Sequence, residues 1–234
     1  MKVLLYGKHI QDLEKVVKDL SFEVVAKNPD VVISYGGDGT LLSAEREYPD
    51  IPKLPVRNNQ FCKKCSKHQD EVVLKKLLEG SLNLKEHKKL HINIYGKDLY
   101  TLNDFVIRND DATHTIRFKT SSTGDKLFIG DGVVISTPFG SSGYFKSITQ
   151  LTFDKGSGLA FNNTTEKNDP LYFSEGQTLE FQLIRGKAVL SFDNSPDKFS
   201  IPEGTTLSFG SSDQVAKIYE DTSLRCPDCK VIRG

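Results

Sequence analysis

The sequence predicts an α/β + β architecture, a small parallel α/β domain followed by an antiparallel β-sandwich. Two observations predict it. Up to about residue 80, short apolar runs alternate with segments of helical spacing; after Gly80, the chain turns to many short alternating runs divided by turn signals.

Val3-Leu4-Leu5-Tyr6 is an apolar run suited to a buried strand, and Ile10, Leu13, Val16, Val17 and Leu20 then recur at helical spacing. Residues 22–26 and 31–34 give a second and a third run, and residues 40–47 suit a helix. After Pro49 and Pro52 comes Leu54-Pro55-Val56, and Val72, Val73, Leu77 and Leu78 mark a further helix ended by Gly80. This rhythm is that of βαβ units around a parallel sheet. Beyond it, Leu82-Asn-Leu84, Ile92-Asn-Ile94, Ile116-Arg-Phe118, Leu179-Glu-Phe181-Gln-Leu183, Val189-Leu-Ser-Phe192 and Leu207-Ser-Phe209 lie between turns such as Gly96-Lys-Asp98, Thr123-Gly-Asp125 and Pro202-Glu-Gly204. The expected domains are residues 1–82, residues 83–218 and a tail, residues 219–234.

The 234 residues suffice for a real core, and 31 basic residues balance 31 acidic ones, so no overall field recruits nucleic acid or an anionic membrane. Lys75-Lys76 and His87-Lys88-Lys89 read as solvated faces. The opening MKVLLYGKHI reads as a strand, not a signal peptide, and no run approaches the roughly 18 apolar residues of a membrane span. The expected address is the cytoplasm.

All four cysteines fall in two CxxC units, Cys62-Lys-Lys-Cys65 and Cys226-Pro-Asp-Cys229. In a reducing compartment such pairs point to a metal or to redox chemistry rather than to structural disulfides.

The segment Ser34-Tyr-Gly-Gly-Asp-Gly-Thr-Leu-Leu42 carries the chemistry of the first domain. Gly36, Gly37 and Gly39 bare backbone N–H groups ahead of a helix, which suits phosphate oxygens. It is neither a GxxxxGK[ST] loop nor a GxGxxG fingerprint. Asp38 is a negative charge in that turn. It makes sense if it meets a proton, a metal ion or a hydroxyl, or else it simply caps the helix.

Here the sequence resembles the NAD kinases. Gly-Gly-Asp-Gly-Thr after a hydrophobic strand is their hallmark, shared with distant phosphofructokinase and lipid-kinase relatives. Residues 130–144, GDGVVISTPFGSSGY, look like the NAD-kinase stretch GDGxxxSTPTGSTAY, and Leu102-Asn103-Asp104 lies where the family has Asn-Glu. The resemblance spans about residues 1–220. It implies a Rossmann-like N-terminal domain, a β-sandwich that binds NAD, and phosphoryl transfer from ATP or polyphosphate to the 2′-hydroxyl of the adenosine ribose. It places Asp38 at the reacting hydroxyl and Gly36, Gly37, Gly39 and Thr40 at the donor phosphates, with Mg²⁺ or another divalent cation accompanying ATP. Asn103 would meet the adenine and Asp104 the ribose hydroxyls, while Asp131, Ser142, Gly143, Tyr144 and Ser147 would line the dinucleotide site. A homo-oligomer, dimer or tetramer, is the family expectation.

Two departures stand out. The family's Gly-x-Asn-x-Gly-x-Leu-Gly-Phe segment is replaced by Pro55-Val-Arg-Asn-Asn-Gln-Phe-Cys-Lys63, and its Pro-His and Arg-Pro elements by Asn162-Asn163-Thr164 and Asp169-Pro170. A non-catalytic NAD(P)-binding homologue is therefore the alternative reading, and a kinase of another hydroxylated substrate a third. The family fold returns the chain end to the first domain, so Cys62, Cys65, Cys226 and Cys229 are expected to hold a structural Zn²⁺ as a Cys₄ site. A redox dithiol or unrelated thiols are the alternatives, and His68 reads as a surface residue.

Overall fold

The computed structural model describes residues 1–58 and 69–220. The chain forms two compact units, Met1–His87 with Ala216–Gly234, and Lys88–Val215. In chain order the elements are β1 (Lys2–Tyr6), α1 (Gln11–Asp19), β2 (Glu23–Val24), β3 (Val31–Tyr35), α2 (Asp38–Glu47), β4 (Lys53–Val56) and α3 (Asp70–Leu78). Then follow β5 (Asn83–Ile94), β6 (Lys97–Thr101), β7 (Asp104–Asn109), β8 (Ile116–Thr120), β9 (Phe128–Gly130), β10 (Gly132–Ser136) and α4 (Tyr144–Thr149). The last are β11 (Ser157–Asn162), β12 (Leu171–Phe173), β13 (Leu179–Arg185), β14 (Ala188–Phe192), β15 (Phe199–Ile201) and β16 (Thr206–Glu220).

In the first unit β2, β1, β3 and β4 pair in parallel, and the C-terminal end of β16 adds beside β4 at Ile218↔Lys53. All five residues of β3 are buried, as expected of a central parallel strand covered on both faces. Leu13 and Val17 of α1 and Val73, Leu74 and Leu77 of α3 pack with Val3, Val31, Ile33, Leu54 and Val56 into one core. Helix α2 is tied down by charge: the Lys53 ammonium is fully buried against the buried Glu45 carboxylate and also donates to the Tyr48 carbonyl. Such a pair is stabilising only while both partners remain, which fixes α2 against the start of β4.

The second unit is the expected sandwich. One antiparallel sheet runs β12-β11-β10-β7-β14-β15, and the other pairs the first half of β16 with β13, then β8 and β9. The strands β5 and β6 form a hairpin. Side chains alternate along β13, where Leu179, Phe181 and Leu183 are buried and Glu180 and Gln182 exposed. The inward residues of both sheets share one core, with ring centroids of Phe105 and Phe209 5.4 Å apart and of Phe128 and Phe161 4.5 Å apart.

Strand β10 is buried on both faces. Val133 and Ile135 enter the sandwich core, whereas Val134 lies with Ala160 under Phe145 of α4. One face of the six-stranded sheet therefore carries α4, and Val106 of β7 belongs to that face. Two expectations are corrected. Residues 83–94 are not parts of two short runs but the single strand β5, and Lys89 within it is buried rather than solvated. The alternation that places Leu90, Ile92 and Ile94 in the core stops at Leu90, and the strand continues back through charged, mostly exposed residues, which hid it.

Candidate functional site

The glycine loop of the first unit starts where β3 ends. The Gly36 N–H donates to the Val56 carbonyl at 2.8 Å, and Gly37, in extended conformation, is the N-cap of α2. The helix begins at Asp38, two residues earlier than the apolar pattern suggests. Asp38 thus stands in the first turn, where the helix dipole favours its charge, and Gly37 rather than Asp38 is the cap. A Cβ on Gly36 would lie 2.2 Å from Thr40 Oγ1, so only glycine lets the Thr40 side chain fold over the loop. A Cβ on Gly37 would meet nothing within 4 Å, leaving that face of the backbone accessible. Arg57, just beyond β4, brings Nη2 to 3.9 Å from Asp38 Oδ1, both side chains partly exposed.

In the second unit the chain leaves one sheet at Thr101 and enters the other at Asp104. The corner Leu102-Asn103 is clamped from two sides. From β10 and the turn after it, Thr137 N–H and Ser136 Oγ donate to the Asn103 carbonyl at 2.9 and 3.2 Å, and Thr137 Oγ1 donates to the Leu102 carbonyl at 2.6 Å. Gly140 closes on the same corner so tightly that a Cβ there would lie 2.2 Å from the Asn103 carbonyl oxygen. From the other side, Asp193 accepts N–H bonds from Leu102 at 3.0 Å and Asn103 at 2.8 Å.

Two polar groups at this corner stand without partners among the described residues. Asn103 Oδ1 is buried with no hydrogen bond. The Asp104 carboxyl is buried, and no donor reaches it; burial first, and then the charge of Asp193, push it up to about 7. Unsatisfied buried polar atoms are rare and point to a missing partner. Asp104 shares the parity of Val106 along β7, and it pairs with Ser136, so it belongs to the face that carries α4.

The Gly140–Ser142 3₁₀ turn and α4 put Ser142, Gly143, Tyr144 and Ser147 on that same face. Ser147 Oγ donates to the Tyr144 carbonyl at 2.7 Å. Asp131 is not brought to the corner. It precedes β10, whose far end, Ser136, pairs with Asp104, and five residues of strand separate them by about 17 Å. Asp131 and Tyr144 are each held by one of two neighbouring asparagines: Asn163 Nδ2 donates to Asp131 Oδ2 at 3.0 Å, and Asn162 Nδ2 donates to Tyr144 Oη at 3.2 Å. The asparagines that stand where the family has Pro-His are thus the hydrogen-bond partners of two candidate residues.

Cys62, Cys65, Cys226, Cys229 and His68 lie outside the described residues. Among the described residues, no group of three or more His, Cys, Asp or Glu side chains is arranged to hold a metal ion. No helix among them is long and apolar enough to cross a membrane.

No protein-family model matches the chain. An NAD kinase of Methanopyrus kandleri is 35% identical over 136 residues, covering 55% of this chain and 47% of the relative. One of Borrelia garinii is 32% identical over 161 residues, 62% of this chain and 57% of the relative. The matched stretch thus spans about half the length of these curated relatives. An NAD kinase of Aquifex aeolicus extends the likeness to 93% of both chains at 27% identity. Among solved structures, an NAD kinase from Archaeoglobus fulgidus in complex with ATP matches 95% of this chain and 94% of its own with a TM-score of 0.73 at 18% identity. The chain is thus similar in sequence to NAD kinases and shares their fold. Yeast NADH kinase complexed with NADH shares the NAD-kinase fold at a TM-score of 0.74 and 13% identity, over 95% of this chain and 84% of its own.

Against the NAD-kinase pattern, the sequence motifs lead to the corner and to the loop but miss two neighbours. Arg57 lies in the segment that departs from the family, where no motif marks it. Asp193 sits in an Asp-Asn turn that looks like any other hairpin connection.

Proposed function

We propose that this chain is an NAD kinase that transfers the terminal phosphoryl group of ATP or polyphosphate to the 2′-hydroxyl of the adenosine ribose of NAD. The observation that carries this reading is the Asn103-Asp104 corner, where a buried carboxyl and a buried amide oxygen both lack partners. A ribose diol offers the two hydroxyl donors that an ionised Asp104 accepts, and the exocyclic amine of adenine suits Asn103 Oδ1. Asp is one methylene shorter than the family's Glu, which keeps the chemistry and draws the ribose closer to β7.

In the first unit, Gly36, Gly37, Gly39 and Thr40 bind the donor phosphates through backbone N–H groups and the start of the α2 dipole. Asp38 accepts the proton of the 2′-hydroxyl as its oxygen bonds to the terminal phosphorus. The bond from that phosphorus to its bridging oxygen breaks, and the shortened donor leaves. Arg57 shields the charge of Asp38 and offers the incoming phosphates a cation in a loop that has no P-loop lysine.

A single carboxylate beside an accessible glycine backbone fits Mg²⁺ carried in on donor phosphates rather than a protein cage. Bound there with ATP, the cation would neutralise part of the phosphate charge. On the second unit, Ser142, Gly143, Tyr144, Ser147 and Asp131 complete the dinucleotide surface.

Three further features belong to the same proposal. Cytoplasmic residence and a homo-oligomer, dimer or tetramer, follow the family pattern, and light scattering on the purified chain tests the assembly. The structural Zn²⁺ on Cys62, Cys65, Cys226 and Cys229 is supported by the two CxxC spacings and by the resemblance to a family whose chain end returns to the first domain.

The loss of glycines from residues 55–63 favours one second reading, an NAD- or NADP-binding homologue without kinase activity. Incubation with NAD, ATP and Mg²⁺ separates the two. NADP formation supports the kinase, whereas NAD binding without NADP from ATP or polyphosphate supports the homologue.

A further inference from the structure

Where the chain crosses from β6 to β7 it changes sheets, and the backbone N–H groups of Leu102, Asn103 and Asp104 turn toward one point instead of joining a ladder. Consecutive N–H groups that converge in this way form an anion-binding concavity. The anion is supplied from 89 to 91 residues away: Asp193 Oδ2 accepts from Leu102 N at 3.0 Å, and Oδ1 accepts from Asn103 N at 2.8 Å and Asp104 N at 3.4 Å. The Thr101 hydroxyl donates to Oδ1 as well.

Asp193 reaches this point because it adopts a left-handed conformation, φ 46°, immediately after β14. Its own N–H donates to the Asp104 carbonyl at 3.1 Å, which locks the two turns together. Asp tolerates that conformation better than most residues because its short side chain bonds locally to backbone.

We propose that Asp193 is the positioning residue of the ribose-binding corner: it holds the Leu102–Asp104 backbone on its carboxylate and, through its charge, governs when Asp104 accepts both ribose hydroxyls. The second half rests on the reading of Asp104 as a ribose ligand, and the first does not. Among the described residues, Asp193 is the only charged group that acts on Asp104. Strand β10 presents Ser136 opposite it, β14 ends beside β7 at Phe192, and no cation faces it. Asp193 itself faces the Thr101 hydroxyl and three N–H groups. Burial raises its carboxyl and these four donors oppose the rise, whereas no donor opposes the rise of Asp104. Two adjacent buried carboxyls then divide the work. One is bound to backbone and structural; the other has no protein donor and is left for two hydroxyl donors.

The test is Asp193→Asn, which keeps the shape and one acceptor oxygen but removes the charge and turns an amide N–H toward Leu102 N–H. Amide hydrogen exchange at Leu102, Asn103 and Asp104 is expected to quicken by about 10-fold. The Asp104 midpoint, followed by carboxyl ¹³C NMR, is expected to fall. The KM for NAD at pH 8 is expected to rise about 10-fold while kcat changes less than about 3-fold.

Thr101→Val removes one donor and leaves the charge. It should quicken exchange at the same amides by about 3-fold without lowering the Asp104 midpoint, and it serves as the arm if the asparagine variant fails to fold. Native exchange rates together with a native Asp104 midpoint in Asp193→Asn, or native exchange in Thr101→Val, would overturn the proposal. A native chain that makes no NADP but shows both effects on substitution would remove the kinase reading and support the hold of Asp193 on the corner.

Discussion

Replacing Asp104 with Asn should remove a loss of stability that the native free protein suffers as pH rises, while it removes ribose recognition. The Asp104 carboxyl rises from 3.8 to about 7, first because it is buried and then because Asp193 lies beside it. A carboxyl whose folded value lies above its unfolded one stabilises the fold most below the unfolded value. That contribution is lost as pH rises through the folded value. The window is therefore about pH 4 to pH 7, and at about 1.36 kcal/mol per unit the loss across it is about 4 kcal/mol. Asp104→Asn has no such titration. Its stability relative to the native chain should improve by about 4 kcal/mol between pH 4 and pH 8, whatever constant offset the amide introduces. The assay is urea unfolding of both ligand-free chains followed by circular dichroism at half-unit pH intervals. A difference between the chains that stays flat across this range would refute the claim that Asp104 is a buried carboxyl awaiting a partner.

Three other outcomes are expected. Asp38→Asn should bind NAD as the native chain does and lose at least about 100-fold in kcat, as removal of a general base requires; near-native turnover would sink its proposed role. Arg57→Ala should raise the KM for the phosphate donor about 5-fold and leave the KM for NAD unchanged, measured by initial rates at fixed Mg²⁺. Chain purified without an affinity tag should carry about one zinc ion by elemental analysis, and a metal-free protein of full stability would contradict the Cys₄ site.

Local patterns were legible in the sequence, and long-range polar pairings were not. The apolar runs at β1, β3 and β4 and the spacing in α1 and α3 follow from burial of one face, so periodicity reveals them. The glycine loop and the Asn103-Asp104 pair were found because their chemistry is carried by neighbouring residues. Helix α2 starts two residues before the apolar pattern because Asp38 and Gly39 are poor helix formers held there by the loop. Lys53 and Glu45 each look like surface residues, and only the fold makes them a buried pair. Asp193 was invisible for the same reason: its four donors lie about ninety positions earlier, and nothing in Phe192-Asp193-Asn194 announces them. Asn162 and Asn163 read as losses from the family pattern, yet their amides hold Tyr144 and Asp131.

The most direct test of the account is the formation of NADP by the purified chain with NAD, Mg²⁺ and either ATP or polyphosphate. The account predicts turnover that needs Asp38 and that falls with pH as Asp104 takes up its proton near pH 7. NAD binding with no NADP from either donor would contradict it.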